Sequence, residues 1–426
     1  MGSYADLYID KYEVSSIKNS IDEFLIFKLF RKNDFKKFTR SLQDRIDNRD
    51  YLGDTTKETA YIYQNTVSAI IERLEIQGFT ITRAEKAFKL AIRNLIKYEK
   101  ANITYYKKTL KKLDDFSHHM TEKSLSSIAF FKTYSYTHFQ DDVYQITKKR
   151  ISPFWNESLN RINSFTDYFY NNQIELIYSI EGFHPLFALR TLLEKFMKNK
   201  LVTYEMTNII DGGYVSLDNI DFDNAEKIII LTEGSTDIFI IKESLTLLYP
   251  HLKGYYHFFD FHSTNNPGGT SNLVTIIKSF IGSGIKNNII ALFDNDSAGK
   301  EALLLLGDIS IPKNIKLLSY PNIIIAKSYP TIGPAGKQRM NINGLACSIE
   351  LYLGKQILQS AKMPLIQWKG FNVKTKTYQG EIQNKSLLFE KFKEQISICK
   401  SDPQLVCKYD WSNIQLVLKS IFNSFK

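Results

Sequence analysis

From residue 228 onward, short apolar, β-branched runs alternate with helical patterns, and this alternation constrains the fold more than any other feature of the chain. IIILT (228–232) is followed by the helical segment STDIFIIKESLTLL. GYYHFFDF (254–261) leads through a loop with Asn265, Asn266, Gly268 and Gly269 to a helix at about 270–282. NNIIALF (287–293) is followed by DSAGKEALLLL, and NIKLLSY closes the series. Strands separated by helices cannot pair as tight hairpins; they line up as a mostly parallel sheet with right-handed crossovers. The expected fold of this region is an α/β domain on a mostly parallel four-stranded sheet. In such sheets functional groups gather at the carboxyl ends of the strands.

Acids stand at two of those ends. Glu233 directly follows the first strand, in LTEGSTD, and Asp294 and Asp296 directly follow the third, in LFDNDSAG. Three carboxylates converging on one sheet edge repel one another unless a cation neutralises them. Hard divalent ions such as Mg²⁺ (or Mn²⁺) prefer oxygen ligands of this kind. Asp237 comes four residues after Glu233, in the first turn of the following helix, and points toward the same spot. Gly234 is expected to let the chain turn tightly beside the metal.

The pattern EG-x-x-D after one strand and D-x-D after a later one, about 60 residues on, resembles the Toprim domain of topoisomerases, bacterial primases and the overcoming-lysogenization-defect nucleases. The EGSTD spacing and Ser297 after the second Asp are most similar to the nuclease branch. That resemblance implies two further positions. A glutamate downstream corresponds to Glu350 in NGLACSIELYLG, and a lysine to Lys385 in YQGEIQNK. It implies a two-metal phosphodiesterase. Glu233, Asp237, Asp294, Asp296 and Glu350 would hold two Mg²⁺ or Mn²⁺ ions, and Lys385 would stabilise charge on the phosphate. Glu233, Asp294, Asp296 and Lys385 form the implied catalytic set.

MGSYADLYIDKY at the start, together with TEGSTD, LYPHL, LFDNDSAG, YPTIGPAG and WKGF, resembles bacterial proteins described as HEPN/Toprim-associated, over most of the chain. The resemblance implies a role in antiphage defence. The N-terminal half departs from catalytic HEPN ribonucleases, which place a His four to six residues after an Arg. His118, His119, His138 and His184 have no arginine at that spacing, so no second active site is expected.

The expected architecture is α+β overall, with a mainly helical N-terminal domain (1–210) and a nuclease domain with a C-terminal extension (225–426). The polar, turn-rich stretch 211–227 joins them. The opening residues suggest a short strand or hairpin. Helices are expected over about 15–47 and 56–77, the latter closed by Gly78, and then in a segment capped by Thr80 or Thr82. More helix is expected through 122–198, broken around Pro153 and Pro185. In the Thr80 helix, Lys86, Lys89, Arg93, Lys97 and Lys100 recur at helical spacing, and Lys107, Lys108, Lys111 and Lys112 continue the run. Such a stripe suits contact with a phosphate backbone.

The net charge of +10 fits a nucleic-acid partner, DNA or RNA, with tRNA among the candidates. A partner protein or a homo-oligomer is a further expectation. No run approaches the ~20 apolar residues that span a bilayer, and the opening residues lack a signal-peptide layout. The expectation is a cytoplasmic protein without membrane contact. Cys347, Cys399 and Cys407 form no CxxC pair, which argues against a disulfide framework or structural zinc. GPAGKQ and SAGKEA lack the Walker spacing, so no ATPase module is expected. The competing functional class is a non-catalytic sensor subunit that binds metal, nucleotide or nucleic acid within a defence complex.

Overall fold

The computed structural model describes residues 3–46, 52–109, 114–147, 182–259, 268–359 and 363–426. The chain forms two compact units, Met1–Ala225 with Phe425–Lys426, and Glu226–Ser424.

The first unit is built on a five-stranded antiparallel sheet. Its strands are β1 (Tyr4–Ile9), β2 (Tyr12–Lys18), β3 (Phe35–Ser41), β4 (Lys57–Thr66) and β5 (Leu201–Glu205), in the order β2-β1-β5-β4-β3. The helices are α1 (Glu23–Leu29), α2 (Val67–Ile76), α3 (Ile81–Thr109), α4 (Asp114–Thr133), α5 (Tyr136–Thr147), α6 (Pro185–Leu193) and α7 (Thr207–Asp211). One core of Leu7, Ile9, Phe30, Phe88, Phe139 and Leu189, among others, joins sheet and helices.

Helix outweighs strand in the described residues of this half, but the five-stranded sheet replaces two of the expected helices. The expected helix at 15–47 is replaced by the end of β2, the short α1 and β3. The expected helix at 56–77 begins as β4 and turns helical only at Val67. The reason is local chemistry combined with distant partners. YIYQNT is rich in β-formers, and Thr66 then accepts a hydrogen bond from Ala69 N and caps α2. Gly78, at φ +91°, closes that helix, with Phe79 N donating to Leu74 O. Thr80 caps α3 through Arg83 N. Pro185 opens α6 rather than breaking a helix, whereas Pro153 lies outside the described residues.

The second unit contains a four-stranded parallel sheet made of β6 (Ile228–Leu231), β7 (Tyr256–Phe258), β8 (Ile289–Phe293) and β10 (Ile315–Ser319), in the order β10-β8-β6-β7. The helices α8 (Ser235–Leu248), α9 (Thr270–Gly282) and α10 (Ser297–Gly307) alternate with the strands. All five residues of β8 are buried, as both faces of a covered parallel strand require. A two-residue strand β9 (Asn295–Asp296) pairs with β13 (Ala346–Cys347). A second sheet joins β11 (Tyr329–Gly333), β12 (Gly336–Met340), β14 (Ile366–Asn372) and β15 (Thr377–Ile382). After the short α11 (Lys355–Leu358), two C-terminal helices follow β15: α12 (Lys385–Ser401) and α13 (Ser412–Phe422).

Strand order decides where a site can form. The chain goes from β6 to β7 on one side and then to β8 on the other, so the crossover direction reverses between β6 and β8. The crevice outside the carboxyl ends of two such strands is the place where open parallel sheets bind ligands.

Candidate active site

Glu233 and Asp294 stand at that reversal, just beyond β6 and β8. The Asp294 backbone N–H donates to Glu233 Oε1 at 2.9 Å, and Thr270 donates to Glu233 Oε2 at 2.5 Å. Gly268 and Gly269 make this close approach possible. Gly269 N donates to Glu233 O at 2.7 Å, and a Cβ on Gly268 would lie 3.1 Å from that same oxygen. Asp237 sits in the first turn of α8 and accepts from the Tyr320 hydroxyl at 2.7 Å. Asp296 caps α10, accepting from Gly299 N at 2.7 Å. Gly299 has no alternative there, because a Cβ would collide with the Asp294 carbonyl oxygen.

Gly234 departs from its expected role. Its backbone is extended, at φ −156°, and makes no tight turn. What it supplies is room, since a Cβ there would stand 3.3 Å from Asp237 Oδ2.

Glu350 and Lys385 reach the same place from distant sequence. The β9–β13 bridge pairs Asp296 with Ala346 and so lays the segment that carries Glu350 beside the D-x-D loop. Glu350 is buried on a 3-10 turn and accepts from Ser348 Oγ. Lys385 begins α12, which docks on α8 through Phe239 against Phe389 and Phe392, with centroids 5.3 and 6.5 Å apart. Asp237, Asp294, Glu350 and Lys385 thereby line one cavity of about 530 Å³. Glu233 and Asp296 are not on its wall, but their charges act on Asp294.

The electrostatics follow from this crowding. Burial pushes the Asp237 carboxyl up to about 7, and the charges of Glu350 and Glu233 add to the shift. Asp294 is raised well above the usual carboxylate range by burial and by Asp237, Glu233, Asp296 and Glu350 around it. Glu233 and Asp296 are also raised, burial again being the main cause. Burial works against the charge of Lys385, but Glu350, Asp294 and Glu381 outweigh it and raise its pKa.

The residues fit a divalent cation in chemistry. The donor set is all oxygen, and the positive charge of Lys385, with Lys300 near Asp296, leaves all four of Glu233, Asp237, Asp294 and Asp296 raised. Asp294 Oδ1 and Ser297 Oγ are buried without a hydrogen-bond partner. Such orphaned oxygens call for a ligand. Among the described residues, no three His, Cys, Asp or Glu side chains already stand close enough to hold one ion. Glu233, Asp237, Asp296 and Glu350 each accept a hydrogen bond from a protein donor.

Thr270, Tyr320 and Ser348 were not among the residues expected from sequence. Tyr320 had a readable signal, since it directly follows β10, at a carboxyl strand end like the acids. Thr270 and Ser348 had none. In the first unit, Lys86, Lys89, Arg93, Lys97 and Lys100 are exposed along one face of α3, and Lys89 pairs with Glu85 at 2.6 Å. Lys107 and Lys108 are exposed as well; Lys111 and Lys112 lie outside the described residues. Among the described residues, no helix is long and apolar enough to cross a membrane.

Comparison with known proteins matches residues 1–227 to the family model described as HEPN/Toprim N-terminal domain 1. No curated protein and no solved structure matches the chain.

Proposed function

Because the chain belongs to the HEPN/Toprim N-terminal domain 1 family, we propose that its second unit is a Toprim-type, divalent-metal-dependent nuclease that hydrolyses phosphodiester bonds in DNA or RNA. The observation that carries this reading is the convergence of Asp237, Asp294, Glu350 and Lys385 on one cavity at the carboxyl ends of a parallel sheet. Glu233 and Asp296 complete the acid set, and Glu233 also fixes the backbone of Asp294 through its own carboxylate.

The residues that would hold one or two Mg²⁺ or Mn²⁺ ions are Glu233, Asp237, Asp294, Asp296 and Glu350. When bound, such ions supply the positive charge that offsets these carboxylates and draws electron density from a phosphate. Lys385 meets the non-bridging phosphate oxygens and favours the more charged transition state over the ground state. Tyr320, Thr270 and Ser348 hold three of the acids in place, as outer hydrogen bonds do at metal sites. The exposed basic face of α3 offers a track for a phosphate backbone. Antiphage defence is the biological setting that the family resemblance suggests.

The test incubates the purified full-length protein with plasmid, single-stranded DNA and total tRNA, in Mg²⁺, Mn²⁺ or EDTA. Cleavage that needs the metal and disappears in Glu233→Gln and Asp294→Asn supports the reading. Undiminished cleavage in both variants sinks the assignment. Metal binding with no cleavage of any substrate supports a sensor instead.

A further inference from the structure

Among the described residues, Phe389 is the one aromatic side chain on the wall of the acidic cavity. It lies one helical turn beyond Lys385 on α12, so the two side chains project from the same helix face with Cβ atoms ~5–6 Å apart. Its ring is half-buried and is held edge to face by Phe239, at 5.3 Å and 82°. Lys393 Nζ stands 4.9 Å from the ring centroid, so the ring already meets a polar group instead of closing into the core. A cation and a flat apolar ring one turn apart match the two ends of a nucleotide, its phosphate and its base.

We propose that Phe389 is a stacking platform for the base of the nucleotide whose phosphate contacts Lys385, and that the substrate is therefore single-stranded or locally unpaired nucleic acid. The inference rests on the nuclease reading of the same cavity. A base inside a duplex has both faces covered and must be unstacked before it can meet Phe389. A cavity of about 530 Å³ is of small-ligand size and does not admit a duplex. Stacking on an aromatic side chain also tolerates every base, because each has a π-face. Selectivity would then be for strandedness, with no sequence reading at this position.

The test is fluorescence anisotropy of the full-length protein with a labelled single-stranded oligonucleotide and its duplex, each as DNA and as RNA, with Ca²⁺ replacing Mg²⁺. The expected result is single-strand affinity exceeding duplex affinity by about 10-fold or more. The ratio should fall toward one in Phe389→Ala and be retained in Phe389→Trp, for at least one of the two sugars. Phe389→Leu, which keeps apolar volume against Phe239 without the ring, serves if the alanine variant melts early. An unchanged ratio in a folded Phe389→Leu, or equal affinity of the wild type for both forms, overturns the inference. Cleavage in Mg²⁺ is scored separately. Loss of the ratio without any cleavage refutes the nuclease reading alone, and cleavage with an unchanged ratio refutes the stacking inference alone.

Discussion

The Tyr320 hydroxyl donates to the Asp237 carboxylate at 2.7 Å, joining the end of β10 to the first turn of α8. The Tyr320 ring also packs against Tyr352, with centroids 5.4 Å apart, and Tyr352 donates to Pro321 O at 2.6 Å. Because Tyr352 shares its 3-10 turn with Glu350, these two tyrosines set the separation of two acids from different parts of the chain. Tyr320→Phe keeps the ring and removes the donor. A buried acceptor left unpaired costs about 1–3 kcal/mol, and loss of an outer partner at a metal site costs ~10–100-fold in affinity or activity. The variant should melt at a lower temperature and lose metal-dependent turnover to that extent. Unchanged melting and turnover would show that the bond positions nothing.

Asp294 is buried and repelled by four other acids. Its charge opposes folding when no cation is present. Asp294→Asn removes that charge at nearly constant shape. In EDTA the variant should therefore melt above the wild type. In the wild type, saturating Mg²⁺ or Mn²⁺ should raise stability by about 2.7 kcal/mol at a hundredfold excess over Kd. The variant should gain less. Scanning fluorimetry across a metal titration reads both effects, and an equal metal response in the two proteins contradicts the assignment.

The basic face of α3 predicts a salt signature. Lys86, Lys97 and Lys100 are exposed, and their replacement by Ala removes charge without touching the core. If all three contact phosphates of a single strand, the slope of log K against log salt should fall in magnitude by about 2. Binding titrations at several salt concentrations measure it. An unchanged slope assigns this face to solvent.

Acid should weaken the first unit through Arg190. This buried guanidinium contacts Glu75 at 2.7 Å and Glu194 at 2.5 Å. Burial works against both carboxylates. Lys426 and Arg190 outweigh it at Glu75, and Arg190 with Lys198 at Glu194, so both groups sit below the ordinary glutamate value. A depressed acid adds stability above its unfolded pKa and loses it as pH falls through the folded one. The melting-temperature gap between wild type and Arg190→Gln should be largest near neutral pH and shrink below about pH 4.5. A gap that does not change with pH would mean that Arg190 acts by packing alone.

The regions read correctly from sequence and those read wrongly differ in how far their partners lie. The strand that precedes Glu233 and the one that precedes Asp294 are continuous β-branched runs followed by helical periodicity, a signal contained within a few residues. FKKFTRS (35–41) carries no such signal, because most of β3 faces solvent. It is a strand because β4 pairs with it. β4 in turn pairs with β5, which lies more than 130 residues further along the chain.

By itself, then, the amino-acid order determined that a parallel sheet follows residue 228 and that acids stand at its carboxyl strand ends, because hydrophobic periodicity and its interruptions are local properties. Only the tertiary structure decided that β6 and β8 are neighbours, that the β9–β13 bridge brings in Glu350, and that α12 delivers Lys385 and Phe389 to the same cavity. Those placements depend on hydrogen bonds and ring packing between segments tens of residues apart. No local pattern encodes which distant partner a strand or helix will meet.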